Sequence, residues 1–161
     1  MKLKTDNIIK KLIFISFFSF INIFFSYSLM PKSLKWYNKL NISPLQPPSW
    51  VFSIVWLYIY LSWFIVICYI YKNIKSINRE LISNYIKNFI KLIITELIWI
   101  ILFYFNKLEL CIITILIANI FTIKSFLDGC KIKKTIGYVL LPQVLWLIIA
   151  AILNIHTYIL N

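Results

Sequence analysis

Five apolar runs separated by short connections constrain this chain more than any other feature. They are Leu12–Met30, Trp50–Tyr71, Ile86–Phe105, Leu110–Leu127 and Ile136–Leu160. A helix that crosses a bilayer needs about 20 mostly apolar residues, and each run is near that length. In a chain of 161 residues they leave no room for a soluble catalytic domain. Hydrophobic residues make up 61% of the chain, where soluble domains hold about 45–50%. That excludes an ordinary soluble fold, and it equally excludes disorder, which needs low hydrophobicity. The expectation is an all-α integral membrane protein with one domain over residues 1–161. It is a five-transmembrane-helix bundle with helices near 10–30, 49–71, 86–105, 109–127 and 136–160, and a long loop between helices 1 and 2.

The first run follows Lys2, Lys4, Lys10 and Lys11 and in isolation could be a signal peptide. It ends in Ser26-Tyr27-Ser28-Leu29-Met30, without a small-x-small cleavage site, and is read as a retained helix. The third run is less pure, because Lys87, Lys91 and Glu96 interrupt it. Asn106–Glu109 reads as a tight turn, and Asp128–Lys134 as a basic loop.

Lys and Arg number 17 against 5 Asp and Glu. On a soluble protein that balance would suggest nucleic acid. Here basic residues flank apolar spans and set their direction, so no nucleic-acid partner is expected. The N-terminus contributes Lys2, Lys4, Lys10 and Lys11. The second connection adds Lys72, Lys75, Arg79, Lys87 and Lys91, and the fourth adds Lys124, Lys131, Lys133 and Lys134. The opposite side has Lys32, Lys35, Lys39 and Lys107. The positive-inside rule then puts the N-terminus in the cytoplasm and Asn161 outside.

Little points to covalent or metal chemistry. Cys68 and Cys111 lie in apolar runs, Cys130 lies among basic residues, and His156 has no partner at ligand spacing. No nucleophile–base pair or phosphate loop is recognisable, so no catalytic residue is assigned. The two glycines, Gly129 and Gly137, form no G-x-x-x-G motif, and a helix dimer would have to use other surfaces.

Several side chains could line a ligand site. Trp36 and Tyr37, in the connection Pro31–Pro48, suit a membrane interface. Pro47 and Pro48 suit the first turn of the next helix. This segment is either an interfacial loop or a lid over a pocket. Trp56, Tyr60 and Trp63 share one helix face, as packing or as a wall for a flat aromatic ligand. Gln143, Trp146, Ala150 and Asn154 share another face, which joins a polar tip, an indole and a small residue, as ligand walls do. Glu96 is the strongest single signal. A carboxyl at mid-span must face protein or water, or give up its charge. Trp99 and Phe103 lie on its face, and Asn119 is the expected partner. It makes either a helix–helix hydrogen bond of about 1 kcal/mol or a ligand- or proton-binding group.

These residues carry a resemblance. Trp36-Tyr37-x-x-Leu40, Pro47-Pro48, Val51-Phe52, Val55-Trp56-x-Tyr58 and Leu141-Pro142-x-x-Leu145-Trp146…Ala150…Leu153-Asn154 resemble the translocator protein family, the tryptophan-rich sensory proteins or TspO/MBR. Trp99 and Phe103-Tyr104-Phe105 resemble its third-helix segment. The likeness covers roughly Lys35–Asn154. It implies a five-helix bundle, a homodimer in a bacterial membrane, and a pocket under the first loop that binds porphyrin or haem. In animals the family also binds cholesterol and benzodiazepine-type drugs. By position the pocket would include Trp36, Tyr37, Trp56 and Trp146, with Tyr60, Glu96, Trp99, Gln143 and Ala150 completing the candidate set. No cofactor is required; the tetrapyrrole is the ligand.

The chain departs from the family at three places. Position 96, usually Asn, is Glu. The family's Pro-Ser-Trp-x-Pro-Pro becomes Ser43-Pro44-Leu45-Gln46-Pro47-Pro48, without the Trp. The usual Pro-Tyr becomes Pro142-Gln143. The resemblance thus implies a membrane receptor or carrier for tetrapyrroles. The alternatives are a light-dependent porphyrin-degrading enzyme using Trp56 and Trp146 as redox-active indoles, or a ligand-free regulatory membrane subunit.

Overall fold

The structure is a computed structural model that describes residues 2–161, with side chains from Asn7 onward. The side chains of Lys2 and Lys4, two of the expected orienting charges, lie outside the described residues. The helices are α1 (Lys2–Tyr37), α2 (Ser49–Lys72), α3 (Arg79–Tyr104), α4 (Leu108–Ile132), α5 (Lys134–Val139) and α6 (Leu141–Ile159). Four stretches are long and apolar enough to cross a membrane: Asn7–Tyr37, Ser49–Lys72, Leu108–Ile132 and Lys134–Ile159. The last joins α5 and α6. Helix α3 is 26 residues long, but Lys87, Lys91 and Glu96 all fall in its final 18. It is the rod that carries charge into the interior.

Local chemistry explains the boundaries. Pro48, at φ −52° and ψ 146°, starts α2, because proline's fixed φ suits the residues that open a helix. The Asn78 side chain accepts from the backbone N–H of Glu80 at 2.8 Å and caps α3. Asn106 takes φ 61° in the turn between α3 and α4, a left-handed conformation that asparagine tolerates better than most residues. The break at Leu140 comes two residues before Pro142, which has no N–H to offer the preceding turn.

Two expectations about loops are corrected. The connection after the first helix does not begin at Pro31. Helix α1 runs through Pro31 to Tyr37, and the true connection is residues 38–48. A proline removes one backbone donor, here the one that Tyr27 O would accept, and apolar helices that pack in a bundle tolerate such a loss. Trp36 and Tyr37 are therefore held on the last turn of a helix. The basic segment Asp128–Lys134 is also mostly helical, and Lys133 alone separates α4 from α5.

The rods pack in the ring order α1, α2, α6, α4, α3 and back to α1. The α3–α4 seam is the most extensive of the ring, and the seams of α2 with α1 and α6 are slight. Ile59, Trp63, Val66, Phe89 and Leu92 are buried at the centre. Phe17, Phe20, Phe24, Ile54, Leu57 and Phe64 point outward and are exposed. That inversion of an ordinary globular surface suits surrounding lipid. Gly129 and Gly137, distant in any helical motif, meet where α4 turns into α5. A Cβ on Gly129 would lie 3.1 Å from the Cα of Gly137.

Candidate functional site

The site is built upward from a hydrogen-bonded floor. Trp63 on α2 donates its indole N–H to Gln143 Oε1 at 2.9 Å. Gln143 on α6 donates from Nε2 to Glu96 Oε1 on α3 at 3.0 Å. All three side chains are buried, Glu96 to 3% exposure. One amide thus ties three helices and occupies one oxygen of the carboxyl. The other oxygen, Oε2, has no protein partner.

The expected partner of Glu96 is corrected by this geometry. Asn119 does not reach it. Its amide donates to Ile115 O at 2.8 Å and to Leu147 O at 3.0 Å, joining α4 to the backbone of α6. Gln143 takes the position instead because α6 brings it to the centre of the ring beside α3.

A second polar chain braces the floor from α1. Tyr60 Oη lies 3.1 Å from Ser26 Oγ and donates to Asn22 Oδ1 at 3.4 Å. Asn22 donates to Ile93 O at 3.2 Å. Tyr60 therefore presents its ring to the interior while its hydroxyl is held by α1. Asn22 and Ser26 were not singled out from the sequence. The available signal was a lone Asn inside an apolar run, which is costly in lipid unless it faces a partner.

Walls rise from this floor on each helix. A helix climbs about 1.5 Å per residue, so Trp56 stands about 10 Å above Trp63, and Phe103 about 10 Å above Glu96. On α2, the Trp56 and Tyr60 rings are 5.6 Å apart, and Tyr60 and Trp63 are 5.3 Å apart. On α3, Trp99 stacks on Phe103 at 5.0 Å and 20°. Trp36 and Tyr37 of α1 each approach Phe103 at 5.3 Å. On α6, Trp146 is buried edge-on to Phe52 at 5.1 Å; Ala150 is half-buried one turn further along. The structure therefore joins Trp36, Tyr37 and Trp99 around Phe103, and joins Trp56 and Tyr60 to the floor through Trp63. It pairs Trp146 with Phe52.

Polar atoms are left over in this region. The indole N–H groups of Trp36 and Trp99, Oε2 of Glu96 and Oδ1 of Asn154 are buried without a partner among the described residues. More than nine in ten buried polar groups normally find one.

The connection 38–48 is tied down beside the top of the walls. Tyr37 Oη donates to Gln46 Oε1 at 2.6 Å. Ser43 Oγ lies 2.9 Å from His156 Nδ1, and Leu45 N donates to the same oxygen at 3.2 Å. The Asn41 backbone N–H donates to Asn161 Oδ1 at 2.9 Å, and Asn161 Nδ2 donates back to Asn41 O at 3.1 Å. His156, without a partner at any sequence spacing, finds one across 113 residues.

These features define a class: a multi-pass helical membrane protein with a buried polar network and clustered aromatic rings beneath an ordered connection. The family model described as TspO/MBR family matches residues 13–160. The chain belongs to that family. No curated protein sequence matches it.

Proposed function

We propose that this protein is a membrane receptor or carrier for porphyrin-type tetrapyrroles, held between the helices beneath the connection 38–48. The observation that carries this reading is the set of unpartnered buried polar atoms on Trp36, Trp99, Glu96 and Asn154 among stacked rings. A flat aromatic ligand with polar groups on its rim satisfies both needs at once: rings stack on rings, and orphaned donors and acceptors gain partners. Trp56 and Trp146 provide indoles from the neighbouring helices α2 and α6. Lys32, Lys35 and Lys39 stand at the same end of the bundle as potential partners for propionates. In this reading α3 is the fifth crossing, the N-terminus is cytoplasmic, Asn161 is outside, and the working unit is a homodimer in a bacterial membrane. No cofactor is required.

Spectral titration of the purified protein with protoporphyrin and with haem tests the reading. Saturable binding is expected, and Trp56→Ala or Trp146→Ala should each weaken it by about 1–3 kcal/mol, the range for stacking on an aromatic side chain. Unchanged affinity in both folded variants would leave these indoles as packing only.

A second reading, light-dependent porphyrin breakdown, is favoured by one feature. Trp56, Tyr60 and Trp63 form a continuous run of oxidisable rings at 5.6 and 5.3 Å. Conversion of bound protoporphyrin to a new absorbing species under light, lost in Trp56→Phe or Trp146→Phe, would select it over simple binding.

A further inference from the structure

A groove of about 420 Å³ opens between α1 and α2, at the opposite end of the bundle from the candidate site. None of the residues proposed for tetrapyrrole binding lines it. Its walls are Ile9, Leu12, Ile13 and Ser16 on α1, and Phe64, Ile67, Cys68 and Tyr71 on α2. On each helix the spacing is i, i+3, i+4 and i+7, which is one continuous face. The two helices run antiparallel, and their mutual seam is slight. The volume falls within the range of about 300–1,000 Å³ typical of small-molecule sites, and the lining is almost wholly apolar.

The described charge beside it is basic. Lys10 directly follows Ile9, and Lys72 directly follows Tyr71; both are exposed. One residue is a turn of about 100° along a helix. Because α1 and α2 are antiparallel, that turn carries both lysines to the same flank of the groove, away from the bundle centre. Lys75 follows in the connection after α2. The carboxylates with described side chains, Glu80, Glu96, Glu109 and Asp128, all belong to α3 and α4. The one acidic residue in the sequence of either wall helix is Asp6, whose side chain lies outside the described residues, against Lys10 and Lys11 on α1 and Lys72 on α2.

We infer that this groove binds an anionic phospholipid, with an acyl chain between α1 and α2 and its phosphate between Lys10 and Lys72. A zwitterionic lipid would fill the same apolar walls, but its own cation would meet the lysines. A second copy of this chain would bring another set of lysines to the same mouth. The charge pattern therefore selects a net negative headgroup, as basic pockets between membrane helices do. The site is independent of the tetrapyrrole reading, and either can fail without the other.

The test uses the full chain in bilayers of equimolar dioleoyl phosphatidylglycerol and dioleoyl phosphatidylcholine, released into native mass spectrometry to count retained lipids. Retention of phosphatidylglycerol over phosphatidylcholine is expected, about fivefold for each lysine that contacts the phosphate. Lys10→Gln with Lys72→Gln should bring the two lipids to parity. Lys87→Gln with Lys134→Gln removes the same charge from exposed positions on other helices and should leave the preference intact. Cys68→Trp, which fills the groove, should reduce retention of both lipids. Equal retention by the unmodified protein would overturn the inference. So would a preference that survives Lys10→Gln with Lys72→Gln, one lost equally in the Lys87→Gln, Lys134→Gln protein, or cross-linking of two copies through Cys68.

Discussion

The two ends of the bundle are held in opposite ways. At the end that carries residues 38–48 and the α6 terminus, the ties are mostly neutral and specific: Tyr37 to Gln46, Ser43 to His156, and Asn41 to Asn161, with Tyr158 to Glu109 the one that meets a carboxylate among the described residues. Each joins segments that only the fold brings together. At the basic end, charged side chains take part in many of the described contacts. Lys131 reaches Asp128 at 3.5 Å within one helix turn, and Lys91 and Lys124 both lie over the Phe121 ring. Longer-range contacts there include Asn88 to Asp128 at 2.7 Å and Lys133 over the Tyr69 ring at 5.4 Å. Charges at a membrane surface are well solvated and contribute little by pairing; their work is orientation. Neutral side-chain pairs at the other end fix a shape. The difference teaches that this fold spends its geometric precision where the candidate site opens, and its charge where the chain must be directed.

A first large effect tests the basic end through shape rather than charge. Gly137→Ala would put a Cβ 2.6 Å from the backbone N of Cys130. That is a clash with backbone, which cannot swing aside, and it should cost about 1–3 kcal/mol or more. A lowered thermal midpoint in detergent would show it. An unchanged midpoint would mean that the α4–α5 junction is looser than this close approach requires.

Next comes the floor between the two ends. Gln143→Leu leaves both the Trp63 indole N–H and Glu96 Oε1 without their partner. Each orphaned buried group costs about 1–3 kcal/mol, so the loss should exceed that of Glu96→Ala, which orphans only the Gln143 amide. Glu96→Gln can still accept from Gln143 and should hold most of the stability and most of the tetrapyrrole affinity. If Glu96→Gln abolishes binding as fully as Glu96→Ala, the carboxyl acts as a charge.

A smaller effect probes the neutral ties. Ser43→Ala removes the hydroxyl shared by His156 and Leu45 N. It should cost about 1 kcal/mol and speed hydrogen exchange over residues 41–46 without altering exchange at the basic end. Equal protection in both proteins would show that the remaining ties, Tyr37 to Gln46 and Asn41 to Asn161, suffice to hold the connection. The smallest effect is Lys131→Gln. Its side chain is 64% exposed, and stability should change by less than about 1 kcal/mol. A larger change would erase the contrast between the two ends.

Much was legible in the sequence because membrane insertion depends on local properties. The apolar spans, the flanking lysines, the turn at Asn106 and the proline starts of α2 and α6 each follow from residues next to one another. So did the aromatic faces, since helical spacing alone aligns Trp56, Tyr60 and Trp63. The extent of α1 was not legible. Pro31 usually ends a helix, and only packing against neighbouring rods carries the chain through it.

What the sequence by itself determined, then, is that this chain enters a membrane, as helices, with its charge gathered at one end and its tryptophans along defined faces. What only the tertiary structure decided is which buried polar groups meet. Asn119 and Gln143 were equally able to reach Glu96 by composition and depth. The ring order of the helices brought Gln143 to the carboxyl and turned Asn119 to the α6 backbone. His156 acquired its partner in the same way. A hydrogen bond needs its atoms within about 3 Å, and such closeness between residues tens of positions apart is a property of the packed ring. Helical periodicity names the face a side chain lies on, and the neighbouring helix determines what that face meets.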